Sequence, residues 1–267
     1  GIAPARQLPQ FATQTFRSWF ATHPTAHLDG SRVVLWPDTF TNFFHPEVGR
    51  AAVAVLEAAG MEVRLPRRPV CCGLTLISTG QLVTAKRVLR STLATLAPDL
   101  EAGLPVVGLE PSCTAVFRSD LGDLLPGDER AAALARAAVT LPEVLAREAP
   151  SWSPPGLRGP ALVQAHCHHR AVLGLAADRD LLDRSGLDWE LLDSGCCGLA
   201  GNFGFERGHY EVSMAVAERV LLPAVREAPA GTLVVADGFS CRTQVEQATG
   251  RRPLHLAQVL AGGLGTS

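Results

Sequence analysis

The chain has 267 residues, of which 47% are hydrophobic and 19% charged, a composition typical of a folded globular protein and not of a disordered one. The formal net charge of −2 gives no indication of a nucleic-acid-binding surface, so we expect no nucleic acid among its partners. No apolar run approaches the roughly 20 residues that a transmembrane helix needs, and no signal peptide is recognisable.

Short apolar runs alternate with segments of helical periodicity along most of the chain. Before residue 30, only a short amphipathic helix around Phe11, Phe16, Trp19 and Phe20 is expected. The predicted elements that follow are strand 32–37, helix 46–59, strand 61–65, helix 81–96 ending before Pro98, strand 105–109, helix 128–148 with a break at Pro142, strand 161–165, helix 169–184, strand 189–192, helix 209–227, strand 232–236 and a closing segment 254–260. Strands that alternate with helices predict parallel α/β sheets.

A stretch rich in proline, glycine and serine, 149–160, reads as a linker after which the pattern starts again. The predicted organisation is an N-terminal extension 1–30, a first lobe 31–148, the linker 149–160 and a second lobe 161–267.

An internal repeat links the two lobes. The string Cys-Cys-Gly-Leu occurs at 71–74 and at 196–199, and a Ser-Cys pair ends at Cys113 and at Cys241. A polar residue follows the first strand of each lobe, Asp38 in one and Cys167 in the other. These landmarks keep one order and nearly one offset, so we predict two homologous Rossmann-like lobes related by a pseudo-twofold axis.

The 7 cysteines include two adjacent pairs, Cys71-Cys72 and Cys196-Cys197. Neighbouring cysteines rarely bridge each other, because the small ring strains the peptide. The pattern also differs from a small secreted disulfide framework. The cysteines therefore indicate a reducing, cytoplasmic compartment and metal or redox chemistry.

In the second lobe, Cys167, the Cys196-Cys197 pair and Cys241 each follow a predicted strand. Parallel strands end at one edge of a sheet, where ligands bind in open α/β folds, so these thiols are expected to converge. Soft thiolates select zinc, copper(I) or iron–sulfur clusters, and four cysteines suit a [4Fe–4S] or [2Fe–2S] cluster. Zinc sites usually use C-x2–4-C knuckles, so the adjacent pair favours iron–sulfur over zinc.

Several neighbours of the cysteines are candidates for supporting roles. Gly73 and Gly198 suit a loop whose backbone approaches a ligand. Asn202 lies in a glycine-rich loop that could bind a phosphate or a quinone, although a turn that covers a cluster is the favoured interpretation. His166, His168 and His169 flank Cys167 and could ligate metal, bond to a cluster sulfur or pass a proton.

The strings HCHHRAVLG (166–174), DSGCCGLAGNFGFE (193–206) and ADGFSCR (236–242) resemble the CCG-domain proteins. That family includes the heterodisulfide reductase B subunit and the iron–sulfur subunits of glycolate oxidase and lactate-utilisation complexes. The resemblance covers roughly residues 31 to 262. It is greatest for the C-terminal region of FAD-linked 2-hydroxyacid oxidases.

The resemblance implies a set of metal ligands. Cys167, Cys196, Cys197 and Cys241 match the family's cysteines in the second lobe and imply one iron–sulfur cluster there, with [4Fe–4S] as the favoured type. The first lobe retains Cys71, Cys72 and Cys113, but Asp38 stands at the leading cysteine, and Glu110 replaces the first cysteine of the C-x-x-C motif. Gly238 stands at the latter position in the second lobe. The first lobe is then either a degenerate half or a second site with Asp38 or Glu110 as an oxygen ligand. Related branches also have a histidine directly after the leading cysteine, which singles out His168.

The implied function is electron transfer. In the family, a flavin domain or subunit that carries FAD oxidises a 2-hydroxy acid such as lactate, glycolate or 2-hydroxyglutarate. Electrons then pass through ferredoxin-like clusters to this region and on to a quinone or another carrier, which also implies peripheral association with the inner face of the membrane. The chain alone is not expected to oxidise the hydroxy acid. Two alternatives stay open: a cluster-free module that docks the flavoenzyme to a partner, and a thiol–disulfide reductase that uses the adjacent cysteines.

Overall fold

A computed structural model describes residues 1–24 and 30–264. It contains two sheets, each entirely parallel, with the strand orders β2-β1-β3-β4 and β6-β5-β7. The strands are β1 Arg32–Trp36, β2 Glu62–Arg64, β3 Val106–Gly108, β4 Ala138–Thr140, β5 Pro160–Val163, β6 Asp188–Leu191 and β7 Leu233–Val235. The predicted α/β fold with two parallel-sheet lobes is confirmed.

The two lobes share one topology. The first strand of each lobe lies between the second and the third, so β1 pairs with β2 and β3, and β5 pairs with β6 and β7. In the second lobe, an isolated parallel bridge joins Val235 of β7 to Leu254. This bridge is equivalent to the pairing of β3 with β4 in the first lobe.

The helices cover the sheets and connect their strands. They are α1 Phe16–Phe20, α2 Thr39–Phe43, α3 Pro46–Ala58, α4 Leu74–Ser78, α5 Leu82–Glu101, α6 Pro111–Arg118, α7 Asp120–Leu124, α8 Glu129–Ala137, α9 Leu141–Glu148, a π-helix His169–Leu173, α10 Ala176–Ser185, a 3-10 helix Phe203–Phe205, α11 Tyr210–Ala217, α12 Leu221–Glu227, α13 Phe239–Thr249 and α14 Leu256–Gly263.

The prediction of a helix over 128–148 with its break at Pro142 is wrong in the position and nature of the break. The chain forms α8, then the buried strand β4, then α9. Ala138–Thr140 directly adjoins a helix at each end, so the helical pattern on either side hides it. Thr140 and Glu143 form a capping box that starts α9, with Pro142 in its first turn.

Other predicted helix boundaries also change. Helix α5 continues through Pro98 to Glu101, because Leu100 still packs on the core beyond the proline. The helix predicted over 169–184 is interrupted at Gly174, whose φ of +83° no regular helix accommodates. The helix predicted over 209–227 is divided into α11 and α12.

The N-terminal aromatic residues divide into two groups. Phe16 is fully buried against Gly49 of α3, where a β-carbon would lie 2.6 Å from the Phe16 ring. Phe11 precedes α1 and is 76% exposed, so its predicted place on the buried face of a helix is wrong.

The carboxyl ends of the two sheets face each other. His255 Nε2 lies 3.0 Å from the Leu109 carbonyl oxygen at the end of β3, and Phe239 N–H donates to Glu110 Oε2 at 2.8 Å. One hydrophobic core also runs through both lobes, with α3 packed on α14. Loops that leave the strands of both sheets therefore meet at the interface of the lobes.

The segment between α9 and β5 has no regular structure, but Trp152 and Leu157 pack against the shared core. The domain boundaries drawn on either side of this segment stay a prediction. Among residues 1–24 and 30–264, no helix combines the length and apolar character needed to cross a membrane.

Candidate metal centre

The four cysteines of the second lobe meet at the carboxyl edge of its sheet. Cys167 follows β5, Cys196 and Cys197 follow β6, and Cys241 lies in the first turn of α13 after β7. The thiols of Cys167 and Cys197 lie close enough to that of Cys196 to shift its pKa, and the Cys241 thiol lies close enough to Cys197 to shift the pKa of that group. Cys197 and Cys241 are buried, whereas Cys167 and Cys196 are half-buried. The thiols thus form a continuous row from the interior to the surface.

Negative charge in this row concentrates on Cys196. Hydrogen bonds from Cys167 and Cys197, together with one from Gly198 N–H at 3.3 Å, lower the pKa of Cys196 to about 2. The hydrogen bond to Cys196 raises the pKa of Cys167, and hydrogen bonds to Cys196 and Cys241 raise that of Cys197. Metal ligation requires thiolates, and one is already favoured here. Four converging thiols fit the ligand set of an iron–sulfur cluster or of a closed zinc site.

Gly198 is required by the packing of the loop. Its φ is +85°, and a β-carbon there would lie 2.1 Å from the carbonyl oxygen of Ser213 in α11. The loop that carries Cys196 and Cys197 is therefore pressed directly onto a helix backbone. Gly198 positions the ligands in this way and also donates its N–H to Cys196 Sγ.

The histidines beside Cys167 have different surroundings. His166 is buried, its Nδ1 accepts from His168 N–H at 3.2 Å, and burial lowers the pKa of its ring to about 4. A β-carbon on Gly238 would lie 2.3 Å from the His166 ring. His166 thus fills the space where a family cysteine at 238 would project. His168 Nδ1 is buried with no hydrogen-bond partner among the described residues.

The cysteine loop of the first lobe has the same local form. Gly73 N–H donates to Cys71 Sγ at 3.3 Å, as Gly198 does to Cys196, and the φ of Gly73 is +77°. Cys72 Sγ lies 3.0 Å from Cys113 Sγ, and both side chains are buried. Cys71 is exposed, and hydrogen bonding to Cys72 raises its pKa. The structure therefore brings three thiols together in this lobe too.

The two carboxylates near Cys113 are engaged by the protein. Asp38 caps α2: its Oδ1 accepts from the N–H groups of Phe40 and Thr41 at 2.8 and 2.9 Å, and its Oδ2 accepts from the Thr41 hydroxyl at 2.6 Å. Glu110 Oε1 accepts from the Ser112 hydroxyl at 2.8 Å, and its Oε2 accepts from Phe239 N–H. Burial and the neighbouring Glu110 raise the pKa of Asp38.

The charge near Cys113 opposes its ionisation. The hydrogen bond with Cys72 lowers the pKa of Cys113, but burial and the Asp38 and Glu110 carboxylates outweigh it and raise that pKa to about 11. The first lobe therefore offers a metal fewer thiols than the second, and none whose pKa is lowered as that of Cys196 is.

Among the described residues, the Asn202 side chain forms no hydrogen bond with a cysteine. Its exposed side-chain amide bonds to Glu206 within the loop that follows the second Cys-Cys-Gly string. This arrangement is typical of a turn that closes on itself.

Arg6 precedes every predicted element in the chain and was not among the residues predicted from the sequence. Arg6 is only 6% exposed; its Nε donates to the Gly204 carbonyl oxygen and its Nη2 to Ser213 Oγ, both at 2.8 Å. Its guanidinium also lies 4.9 Å from the centre of the Tyr210 ring. Arg6 thus ties the loop after Cys197 to α11 from the other end of the chain. An isolated arginine 207 positions before its partner carries no local pattern that could have identified it.

Replacing Arg6 with methionine is expected to lower the free energy of unfolding by about 2 kcal/mol, because two buried acceptors lose a charged donor. Chemical denaturation measures the change. The control is Arg207→Met at an exposed position, where a loss below about 0.5 kcal/mol is expected. Equal losses in the two variants would contradict the assigned role of Arg6.

The chain is similar in sequence to several known proteins. The model of the cysteine-rich CCG domain matches residues 38–118. Lactate utilization protein A of Halalkalibacterium halodurans is 30% identical over 247 residues, which cover 86% of this chain and 96% of that protein. The chain belongs to the CCG cysteine-rich domain family. The matched segment lies in the first lobe.

Other CCG relatives are longer than this chain. One subunit of the anaerobic glycerol-3-phosphate dehydrogenase of Escherichia coli K12 is 29% identical over 267 residues, which cover 97% of this chain and 66% of the relative. D-2-hydroxyglutarate dehydrogenase of Pseudomonas putida is 28% identical over 231 residues, 85% of this chain and 22% of the relative. The chain thus spans just under two thirds of one relative and under a quarter of the other.

Proposed function

We propose that this chain is the electron-transfer module of a flavin-linked dehydrogenase and holds one iron–sulfur cluster in its second lobe. Cys167, Cys196, Cys197 and Cys241 are the proposed ligands, with [4Fe–4S] as the proposed type. The observation that carries the proposal is the continuous row of four thiols at the carboxyl edge of the sheet. When bound, such a cluster accepts and passes on single electrons.

The proposed site has one buried side and one side that reaches the surface. Cys241 and Cys197 anchor it in the core of the second lobe, and Cys167 and Cys196 bring it to the surface. Exposure at one side provides a route for electrons to a partner, while burial at the other keeps the ligands fixed. His168, with its unpartnered Nδ1 beside Cys167, is the proposed group for a proton or for a hydrogen bond to the cluster.

The names of the relatives support a substrate class for the complete enzyme. Those relatives are named for glycerol-3-phosphate, D-2-hydroxyglutarate and lactate. All three compounds are small anions that bear a hydroxyl group. A separate domain or subunit with FAD is proposed to oxidise such a compound, and a ferredoxin-like part to relay the electrons. A quinone at the inner face of the membrane is the proposed acceptor.

Anaerobic purification followed by iron, sulfide and zinc analysis tests the proposal. About four irons per chain are expected, with a visible absorption that dithionite bleaches and a water-soluble quinone restores. The chain alone should not turn over lactate, glycolate or 2-hydroxyglutarate. Zinc in place of iron would make the site structural. If the chain takes up no metal from iron and sulfide, the proposal fails, and disulfide reduction by this metal-free chain would favour a thiol–disulfide reductase instead.

A further inference from the structure

A second group of ligand side chains lies beside the thiol row. His169, Asp178 and Asp237 each offer one nitrogen or oxygen atom, and these three atoms lie within 4.8 Å of one another. We propose that His169, Asp178 and Asp237 bind a divalent metal ion that is separate from the thiol site. The proposal uses none of the cysteines and does not depend on the proposed electron transfer.

Three different elements bring these side chains together at the carboxyl edge of the second sheet. His169 is the first residue of the π-helix, Asp178 lies in the first turn of α10, and Asp237 follows β7. The π-helix is an independent sign of function, because such wide turns are rare and occur frequently at functional sites.

The three side chains line a cavity of about 30 Å³. That volume holds one or two particles of the size of a water molecule, and so an ion with little remaining solvent. Aliphatic side chains such as Val163, Leu182 and Leu191 form much of the remaining wall. His169 and Asp178 are only 3% and 8% exposed. The cavity is too small for an organic cofactor and favours an ion.

The hydrogen bonds leave both carboxylates with capacity for a ligand. His169 Nε2 lies 3.2 Å from Asp178 Oδ2, which leaves the other Asp178 oxygen available. Asp237 uses Oδ1 to accept from Leu256 N–H at 2.8 Å, which leaves its Oδ2 available. His255 lies 3.5 Å from Asp237, but its Nδ1 accepts from Ala257 N–H, so its lone pair and not a proton faces that region.

The local charge also favours a cation. The group holds two carboxyl groups and a single imidazole, so acidic side chains outnumber basic ones there. Among the described residues, neither carboxylate pairs with an arginine or lysine. Arg179 lines the rim of the cavity, and Arg242 Nη1 is directed to the backbone carbonyl oxygens of Ala236 and Asp237. A buried excess of negative charge is costly, and a divalent ion offsets it.

One imidazole and two carboxylates suit borderline and hard ions such as Mn²⁺, Fe²⁺ or Zn²⁺, whereas thiolates prefer softer metals. Mn²⁺ is therefore the best probe, because it is bound by oxygen and nitrogen ligands and poorly by thiols. Its paramagnetic spectrum reports binding directly, without any assay of activity.

The experiment is a titration of the anaerobically purified chain with Mn²⁺, followed by electron paramagnetic resonance and calorimetry. One bound Mn²⁺ per chain is expected. Asp178→Asn and Asp237→Asn should each weaken binding at least about tenfold. Asp180→Asn is the matched control, because Asp180 lies on the same helix but its side chain is 60% exposed; it should bind as the unaltered chain does.

Three results of the titration would overturn the proposal. They are no Mn²⁺ bound by the folded chain, unchanged affinity in Asp237→Asn, and loss of Mn²⁺ from Cys196→Ser, which would place the ion at the thiols. Circular dichroism checks that each variant is folded. If Asp178→Asn does not fold, Asp237→Asn, which lies outside the His169–Asp178 hydrogen bond, decides the question. If that variant does not fold either, a rise in the melting temperature of the unaltered chain with Mn²⁺ supports the site, and its absence overturns it.

Discussion

Replacing Cys197 with serine is expected to reduce the iron content of the anaerobically purified chain from about four atoms to fewer than one. Cys197 is buried and lies between Cys196 and Cys241 in the thiol row, so the substitution removes the link between the surface thiols and the buried one. A serine hydroxyl is a harder ligand and is much less readily ionised. Iron and sulfide analysis, with the visible absorption spectrum, measures the loss.

The matched control for Cys197→Ser is Cys72→Ser in the first lobe. Cys72 is the equivalent cysteine of the first Cys-Cys-Gly string and is buried to a similar extent, at 6% exposed against 3% for Cys197. The control variant is expected to keep its iron. If Cys72→Ser loses half of an iron content near eight, both lobes hold clusters and the assignment to the second lobe alone is wrong.

Replacing Gly198 with alanine is expected to lower the free energy of unfolding by about 3 kcal/mol or more. The left-handed conformation at +85° costs an L-residue about 1–2 kcal/mol. The collision of the new β-carbon with the Ser213 carbonyl oxygen at 2.1 Å adds to this cost, because both partners are backbone. Denaturant unfolding of the metal-free chain measures the effect without any contribution from bound iron.

Gly73→Ala is the control that separates these two costs. Gly73 has a similar φ of +77°, but the nearest atom to its β-carbon is 3.9 Å away. Only the conformational cost of about 1–2 kcal/mol is expected there. Equal destabilisation of the two variants would show that the contact with α11 contributes nothing to holding the second cysteine loop.

The Cys-Cys-Gly loops of the two lobes have the same local conformation, but their surroundings differ. In both, a left-handed glycine donates its N–H to the sulfur of the first adjacent cysteine. In the first lobe, Asp38 caps a helix, and Glu110 reaches across to the N-terminus of α13. These hydrogen bonds occupy the carboxylate oxygens with the protein's own donors. They favour the interpretation of the first lobe as a degenerate half that stabilises the interface of the lobes.

Much of the fold followed from the sequence because its elements are long or strongly apolar. Helix α3 and strands β1 and β7 have patterns that their neighbours do not blur. Strand β4 was missed because it adjoins a helix at each end with no intervening turn, so its residues read as part of one helical pattern. The break at Gly174 was missed because a glycine in a helical pattern does not by itself reveal a positive φ.

The candidate site was also predictable only in the features that local sequence carries. The cysteine positions and their equivalence between lobes are properties of order and spacing, which the chain carries directly. Arg6 and Asp237 acquire their roles from contacts with residues far away in sequence, and nothing local marks them.

The sequence by itself determined the fold class and the family, because a repeated motif on alternating strands and helices permits few arrangements. The four thiols of the second lobe stay a prediction as metal ligands. Only the tertiary structure decided how those groups are used. Hydrogen bonding lowers the pKa of Cys196, packing brings His169, Asp178 and Asp237 around one cavity, and backbone donors occupy Asp38 and Glu110. Charge, ligand capacity and pKa depend on distances between residues remote in the chain, and those distances exist only once the strands and helices have packed together.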